Sequence, residues 1–307
     1  ETGIGLLYHP RQSDNIILKD NAAYADLKPS GCGWAYPLQA CGISTTYNRS
    51  KSVAVTGQIL RSFPDKKIKE FLSGGILLDS SGSETLCDMG YEKYLGAVPI
   101  RTFCKADETL SAEELIDTET MTQTSKYMTL SYLTPSERLC EFRVKDKANI
   151  LSQIVGVDRK YTMPGMVIYT NSLGGRIAQC PFDISRGIRL PFLNWYRYEL
   201  LGEVSSWVSG NEGFIQVKGG PYVLSFRRDG ESQTVLFVIN LAHDDVKEIS
   251  FDIGFHKISR IKRLDVLEDS GRWVTVKFKT YHSGENLYRI DTNVSLKSID
   301  FKIFRMR

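Results

Sequence analysis

The residues with most chemical promise stand together after one apolar run. Ile76-Leu77-Leu78 is followed by Asp79-Ser80-Ser81-Gly82-Ser83, a carboxylate and hydroxyls at a turn that leads into a helix. Ligands in open α/β sheets bind beyond the carboxyl ends of the strands, so nucleophilic chemistry in this half would sit here. A nucleophile elbow needs G-x-S-x-G or G-x-C-x-G, because small flanking residues allow the strained turn that exposes the side chain. Here the leading glycine is absent and the turn has no cysteine. Serine without a paired base is a weak nucleophile. His9 is the one histidine in this half; His243, His256 and His282 fall among later strands. Ser80, Ser81 and His9 are therefore the candidates for acyl transfer. The competing reading is a polar turn that caps a helix, with Ser81 or Ser83 satisfying its first N–H groups.

Other chemistries find less support. Gly74-Gly75 precedes the strand instead of following it, which excludes a Rossmann-type phosphate turn. Glycoside hydrolysis depends on the separation of two carboxylates in space, which spacing in sequence does not give. Tryptophans are the usual platforms for sugar rings. Of Trp34, Trp195, Trp207 and Trp273, helical spacing places Trp207 in a core, while Trp273 follows a turn on a strand edge and could face a ligand. Six cysteines lie scattered without CxxC or a Cys/His cluster, so a structural zinc site is not expected and most should be buried thiols. Asn48-Arg49-Ser50 and Asn293-Val294-Ser295 match the glycosylation acceptor pattern, which matters only in a eukaryotic secretory host.

The elements that must position these residues follow from periodicity. With 307 residues, the chain has room for two domains. A 42% hydrophobic, 24% charged composition with net charge +3 argues against disorder and against nucleic-acid binding. No apolar stretch approaches the roughly 20 residues of a membrane span, and no leader is evident. The sequence opens almost directly on Gly3 to Tyr8, a buried-strand pattern, which suggests a fragment cut at a domain boundary. His9 to Asn15 is then a polar loop at that strand's carboxyl end. Trp34 to Gly42 reads as a helix with a glycine C-cap, and Ile43 to Tyr47 and Val53 to Val55 as strands. Pro64-Asp65 opens a helix with Ile68, Phe71 and Leu72 on one side. Strand and helix alternate to about residue 100, the pattern of a parallel sheet.

From about 101 to 162 the texture becomes strand-like and polar, as in an insertion. Asn171 to Gly175 joins a hairpin, and Leu190 to Val208 forms a docked helix in which Arg197 is expected to snorkel. Ser209 to Gly213 is the linker candidate, and seven short strands after it read as a β-sandwich. The predicted architecture is α/β over 1–210, with an insertion at 101–162, followed by a small all-β sandwich over 213–307.

Two stretches suggest a family. Lys69 to Gly96, with GGILLD and then S-x-x-L-x-x-x-G-Y, and Tyr169 to Trp207, with YTNSLGGRIAQCPFD and RYELLGEVSSWV, resemble the class I amidotransferase-like domain behind the catalytic barrel of bacterial β-galactosidase-like, family 42-type glycoside hydrolases. The stretch GGPYVLSFRRDGESQTVLFVINLAHDD, ending in N-L-x-x-D-D, resembles that family's C-terminal sandwich. The resemblance implies a flavodoxin-like domain plus sandwich, a bacterial cytoplasmic or periplasmic setting, no cofactor, and carbohydrate as the parent enzyme's substrate. It also implies homo-oligomerisation, since such domains contribute subunit contacts in trimeric relatives. The catalytic carboxylates would lie in a barrel, for which this chain shows no length, and the amidotransferase nucleophile would fall near Ser80 or Ser81. Three functions follow: a non-catalytic C-terminal portion of a glycoside hydrolase, a carbohydrate-binding module acting alone, or a hydrolase or amidotransferase using Ser80, Ser81 or His9.

Overall fold

A computed structural model describes residues 2–18, 33–104, 110–117, 122–129, 138–160, 162–184, 194–255, 261–284 and 286–307. His256, Cys32, Leu190, and residues 107–109 and 118–119 of the expected insertion lie outside these residues. The chain forms two compact units, Leu6–Trp34 with Lys51–Leu200, and Glu1–Gly5 and Ala35–Ser50 with Leu201–Arg307. This division is discontinuous in sequence: Glu1–Gly5 and Ala35–Ser50 group with the residues from Leu201 onward.

The described elements begin with β1 (Ile4–Leu6), α1 (Ala35–Ala40) and β2 (Thr45–Thr46), where β1 and β2 run parallel. Gly42 ends the α1 region at φ +72°, the left-handed conformation glycine adopts without strain. In the first unit, β3 (Ser52–Val55), α2 (Asp65–Ser73), β4 (Gly75–Leu78) and α3 (Ser80–Asp88) alternate. All four residues of β3 and of β4 are buried, as expected of parallel strands covered on both faces. Ile68, Phe71 and Leu72 of α2 pack into the same cluster as Val53, Val55, Ile76 and Leu78. Burying each such side chain contributes about 1.5–3 kcal/mol, which makes the i, i+3, i+4 spacing decisive for this helix.

The chain then becomes all strand: β5 (Ala97–Cys104), β6 (Leu110–Asp117), β7 (Thr122–Thr129), β8 (Arg138–Val144), β9 (Asn149–Ile150), β10 (Ser152–Gly156) and β11 (Thr162–Pro164). β5 pairs with β8, and β11-β10-β6-β7 form an antiparallel sheet. β12 (Val167–Thr170) and β13 (Arg176–Gln179) make the expected hairpin, and β13 runs parallel to β4 with Gln179 opposite Leu78. Asn171 organises its turn, accepting from the N–H groups of Leu173 and Gly175 and donating to the Leu72 carbonyl at 2.8 Å. A Cβ on Gly175 would lie 1.9 Å from that carbonyl oxygen, so this close approach requires glycine.

α4 (Trp195–Ser209) follows. Arg197 does not snorkel: it is 3% exposed and its Nε donates to Glu113 at 3.0 Å. Glu113 also accepts from Ser152 Oγ at 2.6 Å. A carboxylate that sequence spacing left unseen thus holds this guanidinium inside.

In the second unit, β14 (Ile215–Lys218), β15 (Val223–Asp229), β16 (Thr234–Asn240), β17 (Ser250–Gly254), β18 (Leu264–Leu267), β19 (Trp273–Thr275), β20 (Phe278–Gly284), β21 (Leu287–Thr292) and β22 (Asp300–Met306) form two antiparallel sheets, β14-β17-β21-β20 and β15-β16-β22-β18-β19. One core fills the space between them, with Phe251 and Phe304 edge to face at 5.5 Å. The expected seven strands become nine among the described residues: β14 and β20 are additional, and the strand expected from Trp273 to Phe278 ends at Thr275, with β20 beginning at Phe278. Arg227 projects inward at 3% exposure, where the carbonyls of Phe214 and Gly254 accept from its Nη1. Among the described residues no helix is long and apolar enough to cross a membrane.

Candidate functional site

The turn after β4 is the predicted place for chemistry, and the structure fills it with a cap. The cap is Asp79, not Ser81 or Ser83. Its Oδ1 accepts from Gly82 N at 2.7 Å and from Gly57 N at 3.2 Å, and its Oδ2 from Ile184 N at 3.2 Å. Asp79 therefore satisfies one of the orphan donors of α3 and ties two further loops to it. The serine reading fails because hydroxyls and carboxylates are interchangeable caps in sequence, and α3 begins at Ser80, two residues before the start that a Ser81 cap requires. Ser83 instead donates its hydroxyl to the Asp79 carbonyl at 3.0 Å.

Ser80 is 1% exposed, and its backbone N–H donates to Phe182 O. Ser81 is partly exposed and donates to Asp183 Oδ2 at 3.0 Å. Asp183, itself fully buried, also pairs with Arg138 Nη1 at 3.3 Å, while Arg138 Nη2 reaches Glu84 at 3.2 Å. Thr102 donates to the other Glu84 oxygen. Thus α3, the start of β8 and the loop after β13 are joined by one polar network. Burial pushes the Asp79 carboxyl well above its ordinary value of 3.8, and the negative charge of Asp183 adds to this against the three backbone N–H groups.

Sequence reasoning missed Asp183 and Arg138. The parallel register of β13 beside β4 is the signal that could have found Asp183, since it brings the residues after Gln179 beside those after Leu78. Arg138 carries no such signal.

His9 is held elsewhere. Its ring packs edge-on against Phe63 at 5.4 Å, and its Nδ1 accepts from Arg11 N at 3.2 Å. Neither contact links it to Ser80 or Ser81. Trp273, half-buried on β19, carries the Arg305 guanidinium 4.1 Å from its ring centroid, so one candidate sugar-stacking face already holds a cation. Four described thiols are far from activation: burial pushes Cys41 and Cys140 up to about 12, Cys87 to about 11, and raises Cys180 strongly. Among the described residues no group of His, Cys, Asp and Glu is arranged to hold a metal ion.

What this arrangement does chemically is fasten: hydroxyls, carboxylates and a guanidinium satisfy one another and the backbone around the start of α3.

No family model matches the sequence. No curated protein matches it either. Among solved structures, all of the chain matches 40% of a catalytic mutant of Gan42B, a GH42 β-galactosidase from G. stearothermophilus, at 11% identity and TM-score 0.57. Gan42B itself matches over the same shares at 10% identity and TM-score 0.56. α-L-Fucosidase isoenzyme 2 from Paenibacillus thiaminolyticus matches 94% of this chain and 46% of its own, at 9% identity and TM-score 0.54. At such identities the likeness is one of fold. The chain is mixed α/β with a β-sandwich, built like parts of these glycoside hydrolases, and it spans less than half the length of each.

Proposed function

We propose that this chain is a non-catalytic portion of a carbohydrate-active glycoside hydrolase, serving oligomerisation or support of the substrate cleft. The observation that carries the reading is the cap at Asp79. The one turn where an α/β domain of this type would present a nucleophile is occupied by a buried carboxylate bound to three backbone N–H groups, with Ser80 sealed and Ser81 tied to Asp183. Arg138 holds the carboxylate that accepts the Ser81 proton, and His9 contacts Phe63 and Arg11 instead of either serine, which supports a structural role for this turn.

On this reading β3, β4 and β13 with α2 and α3 are the remnant of a flavodoxin-like, amidotransferase-type domain, and residues 101–162 are its β-rich insertion. The fold likeness to less than half of Gan42B and of the fucosidase supports placing the sugar chemistry outside this chain.

The test is direct. The purified protein is expected to hydrolyse neither nitrophenyl galactosides nor nitrophenyl fucosides, and a fluorophosphonate probe is expected to leave Ser80 and Ser81 unlabelled. Turnover that disappears in Ser81→Ala would overturn the proposal.

A further inference from the structure

At one end of the five-stranded sheet, arginines gather on its outward face. The register places Asp265 of β18 beside Arg305 of β22, Arg305 beside Val235 of β16, and Val235 beside Arg228 of β15. The residues that alternate with these, Leu264, Leu236 and Phe304 among them, fill the sandwich core. Beyond Asp265 and Arg305 the two strands make one more pair. Arg263 N donates to Arg307 O at 3.1 Å and Arg307 N to Arg263 O at 3.0 Å, so these two arginines are direct cross-strand neighbours. Side chains two residues apart share a face, which puts Arg263, Asp265, Arg305 and Arg307 together. Like charges set opposite each other destabilise a sheet, and only negative charge between them offsets the repulsion.

Asp265 supplies part of that charge. Its Oδ1 accepts from Arg263 Nε at 2.7 Å and from Thr275 Oγ1 at 2.8 Å; its Oδ2 accepts from Arg305 Nη2 at 3.0 Å and lies 3.6 Å from Arg307 Nη2. These cations hold the carboxyl below its ordinary value, so it stays ionised. One negative charge therefore faces three positive ones, and Arg228 adds another about 10 Å away across β16. Among the described residues no second carboxylate pairs with Arg263, Arg305 or Arg307. Arg263 and Arg307 are 48% and 41% exposed, which leaves their remaining N–H donors open to solvent. Arg305 is more enclosed, with its guanidinium over the Trp273 ring.

We propose that this cluster is a binding site for a doubly charged oxyanion of the phosphate or sulfate type, free or carried as an ester, seated between Arg263 and Arg307. The surplus of positive charge selects a dianion. Guanidinium groups suit it, because each offers paired N–H donors at a fixed spacing that matches the oxygens of such an anion. Asp265 is the positioning group: its oxygens are taken by the arginines and Thr275, so it aims the guanidiniums and leaves their outer N–H groups to the ligand. Trp273 steadies Arg305 from the other side. The site goes beyond the glycoside-hydrolase reading and does not depend on it.

Isothermal titration calorimetry with sodium phosphate tests this, at about pH 8, above the second ionisation of a phosphate group, with ionic strength held constant by chloride. The wild-type chain is expected to bind phosphate and to rise in unfolding temperature with it, and sodium sulfate should compete. Arg263→Gln and Arg307→Gln should each weaken binding about tenfold or more, as expected on losing a charge-assisted contact. Arg263→Lys, which keeps the charge but not the fork, should fall between. Lys66→Gln on α2 removes an exposed charge elsewhere and should leave binding unchanged. Far-UV circular dichroism verifies folding, and either glutamine variant suffices if the other does not fold. Glucose 6-phosphate separates the sources: tighter binding than inorganic phosphate supports an ester as ligand, and equal or weaker binding supports the free anion. Absence of both heat and a rise in unfolding temperature with phosphate and sulfate would overturn the site, as would an equal loss in Lys66→Gln; the arginines would then serve only to clamp Asp265.

Discussion

Asp79 and Asp265 are both fully shielded from solvent, one in each unit, yet their surroundings shift them in opposite directions. Asp79 is held by backbone N–H groups and lies near a second carboxylate, and its carboxyl is driven up by burial and by Asp183. Burial also pushes the Asp265 carboxyl up, but Arg263 at 2.7 Å, Thr275 at 2.8 Å and Arg305 at 3.0 Å outweigh it and hold the carboxyl below its ordinary value. Burial alone does not set the state of a carboxyl; the charge of its nearest partners does. Neutral donors can position Asp79 at a helix start, whereas three cations make Asp265 a fixed anion.

The contrast can be broken most severely at Asp79. Asp79→Ala removes a cap worth about 1 kcal/mol and leaves the N–H groups of Gly57 and Ile184 without their acceptor at about 1 kcal/mol each, so urea unfolding should register a loss of about 3 kcal/mol. A loss under about 1 kcal/mol would mean that the cap is not what holds this turn.

Asp265→Ala should cost less, about 2 kcal/mol. Arg263 and Arg307 are 48% and 41% exposed and can turn to water once the carboxylate is gone.

Opposite pH slopes sharpen the comparison further. For Asp79 the folded state holds its proton more tightly than the unfolded chain, so its contribution falls as pH rises from about 4 upward through the raised folded value. For Asp265 the contribution is complete above about pH 4 and is lost as pH falls through the depressed folded value. Hydrogen exchange followed separately at α3 and at β18 should therefore show protection moving in opposite senses across these windows. Parallel slopes would contradict the assignment. The smallest effect belongs to Ser81→Ala, about 0.5–1 kcal/mol, since Asp183 keeps Arg138.

Much of the fold was legible because it rests on local pattern. The spacing of Ile68, Phe71 and Leu72, the apolar run of β4 and the Asn-x-x-Gly-Gly hairpin each encode their element within a few residues. The site was legible only in place. That the turn at 79–83 begins a helix follows from its composition; that Asp79 and not a serine caps it depends on Gly57 and Ile184, brought in by tertiary contact. Arg197 was misread for the same reason, because its partner Glu113 lies in β6, 84 positions away in sequence. The strand count fell short at β14, too short for alternation to register, and at β20, whose exposed, polar run from Lys279 to Ser283 gives no apolar pattern.

The interior strand β16 bears on how the chain reaches its native state. Thr234 to Asn240, TVLFVIN, has no charge, proline or glycine, and it is apolar on both faces. Such a segment is competent for cross-β stacking whenever its edges are free. In the native sheet β15 and β22 cover both edges, but β15 arrives through a short turn while β22 must close a long loop. Refolding should therefore pass through an interval in which one edge of β16 is open, and its yield should fall as protein concentration rises.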